Sequence, residues 1–418
     1  MTPVFLTALF LALNGPFAAA GETPDLLLMA LEPPPPSREH FAAYAEAGLN
    51  VVTLSAGAKF TEEAALAVEA GLSVLVANPA AMDGGLAAGL GKMESGPAIA
   101  GWILGTNVTM ADRDAVEAQF ERLQRLDSQQ IALTFASMDD ADAAASADRL
   151  LDAGVNAFGL RAFTLKRDGS KARADYFGYL ACARELARKH RARWVGFVQV
   201  TEAGDFRFAS ESDLRFQVYS QLAFGARGLA YHRYWLTISH ELWQANPSAG
   251  MRASMVNPFT GERHYTWRNV AEVNREVSAL WPVLRELRVS DVFFVGDVPS
   301  GMCPFPFGKL PIRSVIAQSA LLSCLRDGDG RDWAFVVNGV HGMQRSAQAT
   351  ERTLRLQLDP AIGEVMEVER TTGALKSVGI ERNELYLTLP GGTGALLLLT
   401  PRETAAPSDL PAHPESAQ

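Results

Sequence analysis

The sequence predicts an α/β fold, a (β/α)8 TIM barrel followed by a small all-β sandwich domain, and three observations predict it. Short apolar runs alternate with amphipathic stretches eight times between Asp25 and about residue 289. Several of the amphipathic stretches end in a glycine just before the next apolar run. Beyond about residue 290 the pattern changes to alternating or short apolar runs separated by turn residues.

The eight candidate barrel strands are DLLLMALE (25–32), NVVTLSA (50–56), LSVLVAN (72–78), AIAGWILG (98–105), QIALTFA (130–136), VNAFGLRAF (155–163), RWVGFVQV (193–200) and GLAYHRYW (228–235). Each is short and rich in Val, Ile, Leu or aromatic residues, as a strand buried on both faces must be. Helical patterns lie between them, such as EHFAAYAEAGL before the second strand and DRDAVEAQFERLQRL before the fifth. Ser210 stands three residues before Asp213, a capping arrangement that opens the helix LRFQVYSQLAFG. In AEAGLN, VEAGLS, LDAGVN and FGARG the glycine supplies the left-handed conformation that ends a helix. A repeating strand–helix–Gly–strand unit requires right-handed crossovers and a parallel sheet. Eight units, with TWRNVAEVNREVSALWPVLREL (266–287) as the last helix, close a barrel over residues 21–289. An open doubly wound sheet is the alternative, but no glycine-rich dinucleotide or phosphate loop supports it.

Residues 290–402 carry DVFFVGDV, SVIAQSALLSCLRD, DWAFVVNGV, RTLRLQLD, EVMEVERTTG, ELYLTLPGG and GALLLLTP, separated by turns such as DGDGRD and PGGTG. These read as an antiparallel β-sandwich. Residues 403–418 are rich in Ala, Pro, Ser and Glu without periodicity, which predicts a disordered tail. Residues 1–20 have the shape of a signal peptide: an apolar run from Val4 to Leu13, then Asn14-Gly15-Pro16, then Ala18-Ala19-Ala20 with cleavage after Ala20. No Lys or Arg precedes the run, which is too short to span a bilayer. The expectation is a secreted or periplasmic protein with no membrane span.

A net charge of −9, with no basic stripe, argues against nucleic acid as a partner. Of the three cysteines, Cys303 and Cys324 could pair within the C-terminal domain, or all three, Cys182 included, could be buried thiols. No spacing suits a zinc site, and no cofactor or metal is expected.

In such a barrel, reactive residues project from the C-terminal strand ends. That rule selects Glu32 after strand one, Asn107 after strand four, Arg161 on strand six, Gln199 and Glu202 at strand seven, and Tyr231, His232, Tyr234 and Trp235 at strand eight. The aromatic residues suit stacking against sugar faces, with core packing as the other reading. Glycoside hydrolysis needs two carboxylates flanking the scissile bond. Glu202 is the carboxylate immediately after strand seven. Glu32 is the other strand-end carboxylate, and pairing with Arg161 or Arg233 is the competing explanation for it. His232, His240 and His264 match no metal spacing. No G-x-S-x-G elbow is present.

The segments FAAYAEAGLNVVTLSAG, PAIAGWILGTNVT, RWVGFVQV and SESDLRFQVYSQLAFGARGLAYHRYW resemble a family of secreted bacterial glycoside-hydrolase-like barrels of the clan A type with a C-terminal β-sandwich. The resemblance spans about residues 25–401 and implies a poly- or oligosaccharide ligand. It departs at strand four. Relatives read Gly-Trp/Tyr-x-Leu-x-Asp-Glu-Pro-Ser, the Glu being the general acid/base, where this chain has Thr106, Asn107, Val108 and Thr109. At strand six, Arg161-Ala162-Phe163 replaces an Asp-x-Tyr. Three readings stay open: a hydrolase whose acid comes from elsewhere (Glu32, Asp205, Asp139 or Asp140), a glycan-binding relative without turnover, and an enzyme of another class on the same barrel.

Overall fold

The computed structural model describes residues 24–78, 99–125, 131–138, 141–168, 175–202, 204–237 and 254–402. All eight anticipated barrel strands form: β1 (Leu27–Leu31), β2 (Val51–Ser55), β3 (Ser73–Ala77), β4 (Ile99–Val108), β5 (Ile131–Ser137), β6 (Ala157–Arg161), the split seventh strand β7 (Arg193–Trp194) and β8 (Gly196–Gln199), and β9 (Gly228–His232). They pair in parallel in the order β7-β6-β5-β4-β3-β2-β1-β9-β8. Because β7 and β8 are the two halves of one strand across Val195, the sheet closes on itself. The predicted signal peptide and the tail lie outside the described residues.

Side-chain alternation on β1 shows how the barrel is filled. Leu27, Met29 and Leu31 point to the interior with Leu133, Phe135 and Phe197, while Leu28 and Ala30 point to the helix layer. Two asparagines at equivalent places clip neighbouring strands. Asn50 Oδ1 accepts from the Leu28 amide at 2.8 Å, and Asn156 Oδ1 accepts from the Ala132 amide at 2.9 Å. Each follows a Gly-Leu or Gly-Val step, so the repeated sequence encodes a repeated side-chain-to-backbone pairing.

The described helices are α1 (Arg38–Glu46), α2 (Phe60–Glu69), α3 (Arg113–Gln124), α4 (Ala143–Asp152), α5 (Tyr176–His190), α6 (Glu211–Ala223) and α7 (Tyr265–Leu284). Four of them lead into glycines with positive φ: Gly48 (73°), Gly71 (71°), Gly154 (104°) and Gly225 (99°). Helix α5 instead ends on Arg191 at φ 53°, a conformation that a side chain resists.

The C-terminal domain is the expected antiparallel sandwich. One sheet contains β10 (Arg288–Gly296), β12 (Ser319–Arg326), β13 (Asp332–Asn338), β18 (Gly394–Pro401), β15 (Ile362–Val368) and β16 (Leu375–Val378), in that order. The other contains β11 (Ile312–Ile316), β14 (Arg352–Leu358) and β17 (Glu384–Leu389). The run SVIAQSALLSCLRD is therefore two strands, divided at Ala317-Gln318, that enter different sheets. The larger sheet is covered on both faces. Phe335, Val337, Leu396 and Leu398 face the barrel helices, and Ala334, Val336, Leu397 and Leu399 face the smaller sheet. This explains the unbroken apolar run GALLLL. Cys182, Cys303 and Cys324 are unpaired thiols.

Helix α6 lies between barrel and sandwich, and every residue from Ser212 to Ala223 is buried. Its buried polar side chains are hydrogen-bonded, with the Nε of Arg215 the exception. Ser210 and Asp213 form the anticipated capping box. Asp213 also pairs with Arg207 and accepts from His341 Nδ1 at 2.7 Å, and the His341 ring stacks on Phe216 at 3.9 Å. The sandwich turn at Gly392 abuts the helix backbone so closely that a Cβ there would lie 2.4 Å from Phe216 N and Ser212 O. Burial by itself would raise the Asp213 pKa. The hydrogen bonds and charges of His341 and Arg207 overcome it and hold the carboxyl well below the ordinary range.

Two outcomes follow in unfolding experiments. Asp213→Asn removes the charge opposite buried Arg207 and costs about 3–5 kcal/mol in urea denaturation. The depressed pKa means that this stabilisation is present above about pH 4 and is lost as pH falls further, so the variant's stability declines less steeply in acid. Arg191→Gly relieves the left-handed side chain and raises stability by roughly 0.5–1 kcal/mol in the same assay.

Candidate functional site

The C-terminal ends of β1, β6, β8 and β9 bring Glu32, Arg161, Glu202, His232 and Arg233 to the barrel mouth. Arg233 is buried, and its Nη1 donates to both Glu32 oxygens at 2.7 and 2.8 Å, while the Glu32 side chain is 39% exposed. The expected pairing of Glu32 with a mouth arginine is thus formed, with Arg233. The His232–Arg233 peptide is cis. Arg233 Nη2 stands 3.4 Å from His232 Nε2 and can only donate, which makes Nε2 the acceptor and leaves the proton on Nδ1. Nδ1 faces the Thr201 hydroxyl at 3.3 Å, and that hydroxyl donates to the His232 carbonyl at 3.2 Å. Phe163 and Phe197 flank the imidazole at 5.2 and 5.4 Å. Burial first, then the charges of Arg233 and Arg161, push the His232 pKa down to about 2, so the ring is neutral.

The loops after β6 and β8 are joined over the mouth. Arg167 N donates to Asp205 O and Arg207 N to Leu165 O, each at 2.8 Å. Gln199 binds both loops from below. Its Oε1 accepts from the Thr164 and Leu165 amides at 2.8 and 2.9 Å, and its Nε2 donates to the Thr201 and Arg207 carbonyls at 3.2 and 2.6 Å. Across this junction Arg167 Nη2 meets Glu202 Oε1 at 3.3 Å, with the Glu202 side chain 20% exposed. Arg161 stands over the Phe163 ring at 5.8 Å.

Several expectations are corrected by these positions. Gln199 is wholly buried, its amide is engaged by backbone groups, and it has no surface to offer a sugar. Tyr231 and Tyr234 point away from the mouth into the helix layer and are also wholly buried. Tyr231 donates to Asn274 of α7 at 2.6 Å, and Tyr234 packs on Tyr44 of α1 at 4.8 Å. Trp235 leans on His40 of α1 at 5.0 Å and on the same layer, and Trp102 is also in it. The described rings that flank His232 are instead Phe163 and Phe197, and Phe206 packs on Phe163. Trp243, His240, Asp139 and Asp140 lie outside the described residues.

Strand β4 is irregular. Register shifts occur on both sides, and Gly101 passes so close to β5 that a Cβ would lie 2.0 Å from Ile131 O. The last shift falls between Gly105 and Val108, and it leaves Thr106 and Asn107 exposed. The next acidic residue, Asp112, is held by the Thr109 amide and hydroxyl at 3.0 and 2.8 Å. Arg167 and Thr201 were not singled out by sequence. The signal available for Arg167 was its position in LKRD, the basic loop directly after strand six.

Asp148, Asp152 and His190, on the outer helices α4 and α5, have potential ligand atoms within 4.8 Å of one another. The Lys189 ammonium already binds both Asp148 oxygens at 2.7 and 2.8 Å, so a cationic partner is built in.

No family model matches this sequence, and no curated protein does. Solved structures of similar arrangement include a glucosidase from Croceicoccus marinus, 11% identical with a TM-score of 0.45 over 93% of this chain and 98% of that one. An Anoxybacillus α-amylase is 10% identical with a TM-score of 0.46, over 88% and 90%. The α-amylase from H. orenii is 11% identical with a TM-score of 0.44, over 87% and 92%. At these identities the likeness identifies no site residue.

His232 supplies a direct check on the mouth. Its imidazole resonances stay at neutral-ring positions from about pH 4 to 8 in an NMR titration, because its folded pKa lies below that window. The unfolded chain binds this proton below about pH 6.5, so His232 makes stability fall as pH drops through 6.

Proposed function

We propose that this chain is a secreted or periplasmic carbohydrate-active protein of glycoside-hydrolase type, whose barrel mouth takes a poly- or oligosaccharide. The observation that carries the reading is Glu202, a partly exposed carboxylate at the end of barrel strand seven, oriented by Arg167 across the joined loops. A carboxylate so placed serves as nucleophile or general base at an anomeric carbon. Arg161 and the exposed Asn107 supply hydrogen-bonding groups at the mouth for sugar hydroxyls; His232, expected to do the same, is buried with both ring nitrogens facing protein partners. Glu32 is the second carboxylate at the rim, and its partner Arg233 occupies both of its oxygens.

The proton donor is the weak point of this site. Asn107 occupies the strand-four position where the resemblance expects the acid, and an amide cannot protonate a departing alkoxide. General acid help is worth about 10²–10⁴ in rate, so Glu202 acts chiefly on substrates with good leaving groups. A second reading, glycan binding without turnover, rests on the same residue: Asn107 is exposed and can hydrogen-bond a sugar.

The test is release of the leaving group from activated aryl glycosides, and of product from a polysaccharide panel. The wild type is expected to turn over aryl glycosides slowly, Glu202→Gln to lose that activity, and Asn107→Glu to gain about 10²-fold or more on unactivated substrates. Turnover that persists in Glu202→Gln removes this residue from the mechanism. Saturable binding with no release from any substrate establishes the second reading.

A further inference from the structure

A cleft of about 1130 Å³ opens at the N-terminal end of the barrel, opposite the mouth, between the ends of α5 and α7 and the start of β10. Its lining holds seven arginines and two carboxylates, in a chain whose net charge is −9. The two carboxylates, Asp25 and Glu286, both pair with Arg285, at 3.1 and 3.0 Å. Arg184 and Arg188 share Glu185. Among the described residues, the remaining four, Arg191, Arg193, Arg227 and Arg288, form no ion pair with a carboxylate.

Two of these four are fixed in place. Arg193 donates to Pro24 O at 3.0 Å, and Arg227 donates to the carbonyls of Leu284, Arg285 and Leu287 at 2.8–3.1 Å. Carbonyl partners orient a guanidinium without neutralising it. Burial lowers the pKa of both; Asp25 opposes this for Arg193 and Glu286 for Arg227, while Arg193 and Arg288 add to it for Arg227. A guanidinium nonetheless stays charged. Capping of helix C-termini accounts for Arg227. It does not account for Arg288, nor for Arg191, which holds a strained left-handed backbone where four other helices of this barrel use glycine.

We propose that this cleft is a binding site for an acidic polysaccharide segment, whose carboxylates or sulfates engage Arg191, Arg193, Arg227 and Arg288. The volume exceeds that of a single oxyanion and suits several linked sugars. Bidentate pairing of arginine with carboxylate or sulfate oxygens supplies the contacts. The one Trp of the lining, Trp281, is buried, with Arg227 over its ring at 5.6 Å, so the lining has no exposed ring for base stacking or bilayer insertion. Duplex nucleic acid brings one charge per ~1.7 Å, far more than four cations on an acidic protein can offset. The site is independent of the reading of the mouth.

The experiment is calorimetric titration of the full chain with an oligogalacturonate, a neutral oligosaccharide of equal length, a DNA duplex and anionic phosphatidylglycerol vesicles. The oligogalacturonate is expected to bind, to weaken as NaCl rises from about 0.05 to 0.5 M, and to exceed the other three. Arg191→Gly and Arg288→Ser should each weaken it about tenfold, the loss of one charge-assisted hydrogen bond. Arg191→Gly should do so with no loss of thermal stability, and Glu202→Gln should leave binding unchanged. The proposal is overturned by no binding at low salt, by unchanged affinity in both arginine variants, by tighter binding of DNA or vesicles, or by an effect of Glu202→Gln that moves the ligand to the mouth.

Discussion

The buried charge pair of Asp213 and Arg207 is the interaction on which the rest of this structure depends. Both partners are buried, and His341 and Ser210 complete the set around the carboxylate. Through the Asp213 side chain the barrel helix α6 is tied to a loop of the sandwich. Through the Arg207 backbone it is tied to the mouth, because the Arg207 carbonyl accepts from Gln199 and its amide donates to Leu165. One network thus sets the domain interface and the height of the loop pair that carries Arg167. Burying such a pair is costly unless its groups are matched, which accounts for the density of hydrogen bonds in SESD; only the Nε of Arg207 lacks a hydrogen-bond partner.

The two ends of the barrel are electrostatically different. At the mouth, Glu32 is paired with Arg233 and Glu202 with Arg167. His232 adds no charge, because burial and two arginines keep it neutral. At the opposite end, arginines outnumber carboxylates in the cleft lining, and two of them, Arg193 and Arg227, hydrogen-bond to backbone carbonyls. Helix ends converge there, and their carbonyls accept the guanidinium protons that carboxylates would otherwise take.

Some of the site was legible in advance. Glu32, Arg161, Glu202 and His232 do stand at the barrel mouth, because a strand end must expose its last residues there whatever the loops do. Gln199, Tyr231 and Tyr234 were misplaced by the same logic. A strand alternates sides, so proximity to the C-terminal end does not say which layer a side chain enters. On β9, Tyr231 faces the helix layer and meets Asn274, which lies 43 residues away in the chain. Trp235 rests on α1 for a similar reason: a helix from the start of the chain passes there.

By itself, the sequence determined the elements of this protein: the eight apolar runs, the glycine helix ends, the Ser210 cap and the change to alternating strands after the barrel. These depend on periodicity and on local backbone preferences, which neighbouring residues carry within a dozen positions. Only the tertiary structure decided which surfaces those elements present. It buried α6 on all sides, divided SVIAQSALLSCLRD between two sheets, left Asn107 exposed at a register shift in β4, and gathered arginines from α5, β7, α7 and β10 into one cleft. Each of these results from contacts between residues tens to hundreds of positions apart, and local periodicity does not carry that information.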